Sequence, residues 1–315
     1  MKVAILESLG ISEEELLSLE KPFVDKGVEF VHYNKSLDED VLVKETEGAD
    51  AVIIANMPFP ASVIERSDSL KYIDVAFTGT DHVGLSAARE KGISVSNASG
   101  YSNEAVSELV LGMVLSFMRN ISKVEDRCRN GLDKTGLVGS EVKGKTVGII
   151  GLGKIGRRTA EIFHVLGANI LASSRSKHVD APEYVKEVEK EELLKESDIV
   201  VLHCPLTAET RGLIGKKELE TMKKSAILVN VARGPVVVEK DLVEALTEGK
   251  ISGALIDVFD TEPPLPKDNP LLSCPNTLVT PHVAFATKES MSLRAKIVFD
   301  NLSSWMNGTV INRVV

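Results

Sequence analysis

An α/β protein of two doubly wound parallel-sheet domains is the fold class this sequence predicts, and three observations predict it. Short apolar runs alternate with helical patterns from the first residue onward, the sign of β-α-β units. A Gly-x-Gly-x-x-Gly turn, Gly151 to Gly156, stands between an apolar run and a helical pattern. The length of 315 residues suits two domains at roughly 150 residues each.

The first series of elements holds five expected strands: Lys2–Leu6, Val28–His32, Ala51–Ala55, Tyr72–Ala76 and Ile93–Val95, each a buried run bounded by turn or polar residues. Between them Ser12–Glu20 opens with a capping box, Ser12 followed by Glu15, and Asp38–Glu47 and Ala61–Arg66 read as helix. A long helical stretch from about Ser102 to Ile121 puts Ala105, Leu109, Met113 and Phe117 on one face. Asn130 to Gly144 reads as a loop rich in Gly and charge. The second series holds six expected strands: Val147–Ile150, Asn169–Ala172, Ile199–His203, Ala226–Val231, Gly253–Asp257 and Thr277–Val279. Its helices start near Lys154, Lys190, Lys216 and Glu239. Pro263 to Pro275 is a proline-rich connector too broken for a helix, and a final helix runs from about Thr287 to Met306. Six strands suit a complete Rossmann dinucleotide-binding sheet, and five suit a smaller flavodoxin-like substrate domain. The final helix follows the completed second sheet and is expected to return to the first domain. The expected boundaries are residues 1–100 with 285–315 for the substrate domain and 101–284 for the dinucleotide-binding domain.

Composition narrows the function. With 37 Lys+Arg against 46 Asp+Glu the net charge is −9, which argues against a sequence-independent nucleic-acid binder. At 43% hydrophobic and 26% charged the chain is a core-forming one. The longest apolar run, Leu109 to Met118, is far short of the roughly 20 residues that span a bilayer, and the apolar start is too short for a signal peptide. Cys128, Cys204 and Cys274 lie far apart, and the histidines form no HExxH. The expectation is a cytoplasmic, metal-free protein with neither nucleic acid nor membrane as partner.

Gly151-Leu152-Gly153-Lys154-Ile155-Gly156 directly follows the strand Val147–Ile150 and opens a helix. The first Gly makes the turn, the second lets a pyrophosphate approach, the third permits close packing, and the helix N-terminus faces the phosphates. An acid at the end of the next strand would bond the ribose 2′-OH of NAD. Ser174 stands there instead, followed by Arg175, Ser176 and Lys177, and no carboxylate occurs until Asp180. Hydroxyls with a guanidinium suit a 2′-phosphate, so NADP is favoured over NAD; a solvated loop after an NAD-binding strand is the alternative. Three further segments follow strands: Asn230-Val231-Ala232-Arg233-Gly234, Asp257-Val258-Phe259-Asp260-Thr261-Glu262-Pro263 and Thr280-Pro281-His282. Singly each reads as structural. In order behind a dinucleotide turn they supply an anion clamp, a carboxylate and a titratable imidazole.

With Lys145–Gly153, these stretches resemble the D-isomer-specific 2-hydroxyacid dehydrogenase family over essentially the whole chain. The resemblance implies that Arg233 holds the substrate carboxylate and polarises the 2-oxo group. It implies that His282 is the general acid of reduction and that Glu262 orients its ring and favours its protonated form. Asp257 would accept from the nicotinamide carboxamide. Cys204 and Pro205, with Val231 and Ala232, complete the expected cofactor-binding set. Thr78 and Gly79 match the loop whose N–H groups bind the carboxylate, with Met57 and Pro58 facing the substrate. His82, in the same loop, reads as structural. The implied assembly is a homodimer through the nucleotide domain, with Ser102–Gly144 as an arm, and the two domains are expected to close over the ligands.

Two departures from the family pattern stand out: Ala284-Phe285 where a Gly is usual, and Ser102 where an Asn is usual. Asn56–Pro60 resembles a stretch of NAD-dependent formate dehydrogenases, but those carry Gln where this chain has Glu262. Asn56-Met57-Pro58-Phe59 is uncharged, and neither it nor Thr78–Gly84 offers a Lys or Arg for a phosphate. Together with an end at Val315, without a regulatory extension, this favours a small 2-oxo acid such as glyoxylate or hydroxypyruvate. The alternatives are a short-type D-3-phosphoglycerate dehydrogenase, a formate dehydrogenase, and a dinucleotide-sensing corepressor or scaffold.

Overall fold

The apolar runs at the start of the chain become parallel strands in the computed structural model, which describes residues 1–175, 180–261 and 264–315. The chain divides into two units, Met1–Ser102 with Ala286–Val315, and Asn103–Phe285. The first unit runs β1 (Lys2–Ile5), α1 (Glu13–Val24), β2 (Glu29–His32), α2 (Glu39–Glu45), β3 (Ala51–Ile54), α3 (Ala61–Arg66), β4 (Tyr72–Val75), α4 (Leu85–Glu90) and β5 (Ser94–Asn97). Its sheet has the order β2-β1-β3-β4-β5, all parallel, the flavodoxin-like arrangement. Ser12 caps α1 by accepting from the Glu15 N–H at 3.2 Å. The helix then continues past Glu20 and through Pro22, further than the pattern predicts. The burial of Phe23 accounts for the extension, because its ring packs on Phe30 and Phe299 at 6.0 and 5.6 Å.

The second unit runs α5 (Asn103–Met118), α6 (Ile121–Arg129), β6 (Thr146–Ile150), α7 (Lys154–Val165), β7 (Asn169–Ser173), β8 (Val185–Glu187), α8 (Lys190–Glu196), β9 (Ile199–Leu202), α9 (Lys216–Thr221), β10 (Ile227–Asn230), α10 (Glu239–Thr247), β11 (Gly253–Ile256), α11 (Pro270–Ser273) and β12 (Thr277–Val279). The order β12-β11-β10-β9-β6-β7-β8 is the Rossmann sheet with a seventh strand. The expected count of six is therefore corrected to seven. The missed strand, β8, has no apolar run and forms by pairing Val185 with Ile170 on the edge of β7. The helix expected to about Ile121 ends at Met118, and a second, unexpected helix, α6, follows Asn120, whose φ of 54° is left-handed. The connector does contain one helical turn, α11, which Asn269 caps by accepting from the Leu271 N–H at 3.0 Å. Along β9, Ile199 and Val201 join the layer of α5 and α7, while Val200 and Leu202 join that of α8, α9 and α10. Burial on both faces is why these strands read as unbroken apolar runs. Among the described residues no single helix is long and apolar enough to cross a membrane, although α5 and α6 together pass by length and composition. One face of α5 lies in the core of this unit.

The last helix, α12 (Lys288–Met306), belongs to the first unit. Thr287 and Ser290 cap each other's N–H at 3.1 Å, and Trp305 stacks on Tyr72 at 4.7 Å. Asn301 donates to the carboxylate of Asp74 on β4 at 3.0 Å and to the carbonyl of Asn97 at 3.1 Å. Asp74 is fully buried, and that desolvation raises its carboxyl well above the usual range, with Asn301 and Tyr72 pulling the other way. The native state thus keeps a proton that the unfolded chain gives up, and stability from this group falls as pH rises above the ordinary carboxylate value. Asp74→Asn is expected to keep the bond to Asn301 and to flatten this dependence. Its urea midpoint should drop less than wild type between about pH 5 and pH 8. Equal slopes would mean that Asp74 is ionised when folded.

Candidate active site

Strand register gathers the candidate residues of the second unit. Ser173, Ile150, Leu202, Asn230, Ile256 and Val279 form one continuous line of paired residues across the sheet. Gly151, Ser174, Cys204 with Pro205, Val231 to Arg233, Asp257 and His282 all follow that line, at the carboxyl ends of the strands where this fold binds ligands.

The glycine turn has the form a dinucleotide needs. Gly151 has φ 100°, and a Cβ there would stand 2.7 Å from the Cys204 nitrogen. A Cβ on Gly156 would stand 2.1 Å from the Gly151 carbonyl oxygen, whereas one on Gly153 would meet nothing within 4 Å. The outer glycines are therefore fixed by packing, and the middle one leaves the N-terminus of α7 open to a phosphate. Lys154 and Ile155 open that helix. Ser174 accepts from the Leu152 N–H at 2.9 Å, and Arg157 donates to the Leu152 carbonyl at 3.3 Å and pairs with Asp180 at 2.7 Å. Arg175 is exposed beside Ser174. Cys204 is buried, which pushes its thiol up to about 11 and makes it a packing residue.

The candidate acid sits on a strained loop held by Asp257. His282 has φ 55°, a left-handed conformation that is uncommon outside glycine. Its N–H donates to the Asp257 carbonyl at 2.7 Å. The fully buried Asp257 carboxylate accepts from the Thr280 hydroxyl at 2.5 Å and from the Val283 and Ala284 N–H groups at 2.9 Å. The segment Thr280–Ala284 is thereby wrapped around one side chain. Phe285 stands edge-on to the His282 ring at 5.5 Å, so the Ala284-Phe285 departure supplies a wall for the imidazole. Beneath Arg233, Gly234 lies so close to the end of β11 that a Cβ would come within 1.9 Å of the Phe259 carbonyl carbon. Asn230 shapes the turn by donating to the Arg233 carbonyl at 3.0 Å and accepting from the Ala232 N–H at 3.1 Å. The partly buried Arg233 donates to the Ala232 carbonyl at 2.9 Å.

His203, at the end of β9, is a different kind of histidine. Its Nε2 meets the Thr159 hydroxyl at 2.9 Å, and that hydroxyl meets Ser107 at 3.0 Å. Burial pushes its pKa down to about 3, so it stays neutral and ties α5, α7 and β9 together. Sequence reading missed this relay, as it missed the roles of Arg157 and Thr280, because each acts through contacts that only the fold creates; the role of Asn230 is local, bonding two and three residues ahead, and could have been read from its turn. Glu262 lies outside the described residues, as do Ser176 and Lys177.

In the first unit the corresponding strand ends carry the other candidates. The turn after β3 carries Met57, whose fully buried side chain packs in the core and so corrects the expectation that it faces a ligand, and Pro58, which is exposed; the turn is sewn to the loop after β4. Phe59 N–H donates to the His82 carbonyl and Gly84 N–H to the Phe59 carbonyl, both at 2.9 Å. In that second loop the Thr78 carbonyl accepts from Asn97 at 2.7 Å, and Gly79 follows. The Thr78 hydroxyl is buried without a hydrogen-bond partner among the described residues. The fold also brings a cation that the local sequence does not contain: Lys35 Nζ lies 3.4 Å from the Asn56 side chain and 3.0 Å from Glu7. The two loops themselves carry no Lys or Arg, as expected, and the charge of Lys35 is paired with Glu7.

Comparison with known proteins agrees with this arrangement. Residues 111–284 match the family described as D-isomer specific 2-hydroxyacid dehydrogenase, NAD binding domain. A hydroxypyruvate reductase of Blautia hydrogenotrophica is 34% identical over 88% of this chain and 88% of its own length. A D-3-phosphoglycerate dehydrogenase of Methanocaldococcus jannaschii is 38% identical over 89% of this chain, which spans about half, 54%, of that relative. The crystal structure of a glyoxylate reductase from Paecilomyes thermophila superposes with a TM-score of 0.90 at 27% identity, covering 100% of this chain and 98% of the other. The chain belongs to the D-isomer specific 2-hydroxyacid dehydrogenase family.

Proposed function

We propose that the protein reduces small 2-oxo acids, glyoxylate and hydroxypyruvate foremost, and uses NADPH in preference to NADH. The observation that carries the reading is the His282 loop wrapped on Asp257, at the same sheet edge as Arg233 and the open glycine turn. The glycine turn Gly151–Gly156 would hold a nicotinamide dinucleotide, which would supply the hydride of the reduction. Arg233 holds the substrate carboxylate and polarises the 2-oxo group. His282 gives its proton to the carbonyl oxygen, and Glu262 orients the ring. Asp257 serves as anchor of the His282 loop. Ser174 and Arg175 favour the 2′-phosphate. The same reading includes a homodimer, supported by Ile121, Leu132 and Val138, which are apolar and exposed on the segment after α5.

One observation favours a second substrate, a phosphorylated 2-oxo acid: Lys35 beside Asn56 is a cation near the turn that bears Met57. Steady-state rates on glyoxylate, hydroxypyruvate, 3-phosphohydroxypyruvate and formate with both cofactors separate the readings. The proposal expects kcat/KM to be largest for glyoxylate or hydroxypyruvate. A dominant rate with the phosphorylated acid would transfer the assignment, and no turnover at all would favour a dinucleotide-sensing scaffold.

A further inference from the structure

Glu7 follows β1 and is buried, yet its carboxylate faces the turn that leaves β3, about fifty residues away in sequence. Its Oε2 accepts from the N–H groups of Ala55 and Met57, at 2.9 and 3.0 Å. Its Oε1 accepts from Lys35 Nζ at 3.0 Å. Backbone N–H groups of a buried turn need acceptors that no strand or helix supplies. A buried carboxylate, in turn, is tolerated only where hydrogen bonds and opposite charge offset its desolvation. Here two of the hydrogen bonds are amides of one turn, and Lys35 and the buried Arg294 supply the charge. Beyond Pro58 the turn is joined to the loop of Thr78 and Gly79 through Phe59. One end of the turn is therefore set by a neighbouring loop and the other by Glu7.

We propose that Glu7 is the positioning residue of the turn Ala55–Pro58, fixing where Asn56 and the exposed Pro58 stand without itself touching the substrate. The identity of the substrate rests on the 2-oxo acid reading; the clamp on Ala55 and Met57 does not. A residue that merely stabilised the first unit would change Tm and leave the kinetic constants alone. A positioning residue changes KM for the oxo acid and leaves cofactor affinity unchanged.

The test uses the full chain with Glu7→Asp and Glu7→Gln. Aspartate keeps the charge beside Lys35 and Arg294 but withdraws the carboxylate from the turn by one methylene. Glutamine keeps the reach and an acceptor oxygen. Glu7→Asp is expected to raise KM for glyoxylate on the order of tenfold, the worth of a lost charge-assisted bond, with the Kd for NADPH unchanged. Glu7→Gln is expected to recover most of that KM. Hydrogen exchange of a peptide spanning Ala55–Met57 should be faster in Glu7→Asp than in wild type and near wild type in Glu7→Gln. Unchanged exchange in folded Glu7→Asp, or faster exchange with an unchanged KM, overturns the proposal. If the wild type reduces no 2-oxo acid, the substrate reading fails and the exchange rates alone decide the clamp.

Discussion

Replacing His282 lowers turnover in the reductive direction by roughly 10²–10⁴, the usual worth of a positioned general acid. Two variants separate chemistry from strain. Alanine at φ 55° incurs a backbone cost of about 1–2 kcal/mol, whereas asparagine tolerates the left-handed region and keeps the loop on Asp257. Both are expected to lose turnover alike, while His282→Asn melts near wild type. Near-normal turnover in a folded His282→Asn protein would remove His282 from the mechanism.

The second large effect is on the cofactor. Ser174 accepts from the Leu152 N–H at 2.9 Å, a bond that an aspartate in its place can also accept. Ser174→Asp therefore leaves the glycine turn in place and adds a charge that repels a 2′-phosphate. The exposed Arg175 offers that phosphate a charge-assisted bond worth about 1.5–3 kcal/mol, which is on the order of tenfold to a hundredfold in preference. Ser174→Asp and Arg175→Ala should each lower kcat/KM for NADPH by such a factor and change that for NADH much less. A wild type that favours NADH by about tenfold would show that this loop does not hold the phosphate.

How much of this was legible in the chain depends on how local each interaction is. The helices that start at Lys154, Lys190, Lys216 and Glu239 are written in runs of adjacent residues, and so is the glycine turn, because phosphate binding demands a local geometry. β8 is not legible: one buried valine makes no pattern, and the strand exists because β7 presents an open edge. The break at Asn120 is hidden because the helical period continues across it. At the site, residue types could be read from motifs, but their working partners could not. Asp257 reaches Thr280 and Ala284 across 23 and 27 residues, and Glu7 reaches Ala55 across 48. Lys35 reaches Asn56 from the loop after β2, which β1 separates from β3 in the sheet, so a search of the turn alone finds no cation.

Conversion of glyoxylate to glycolate by the purified chain, followed together with NADPH consumption, tests the central claim most directly. The account predicts one glycolate formed for each NADPH oxidised, at a rate roughly 10²–10⁴ above that of His282→Asn. NADPH that is bound but never consumed in the presence of glyoxylate or hydroxypyruvate would contradict it.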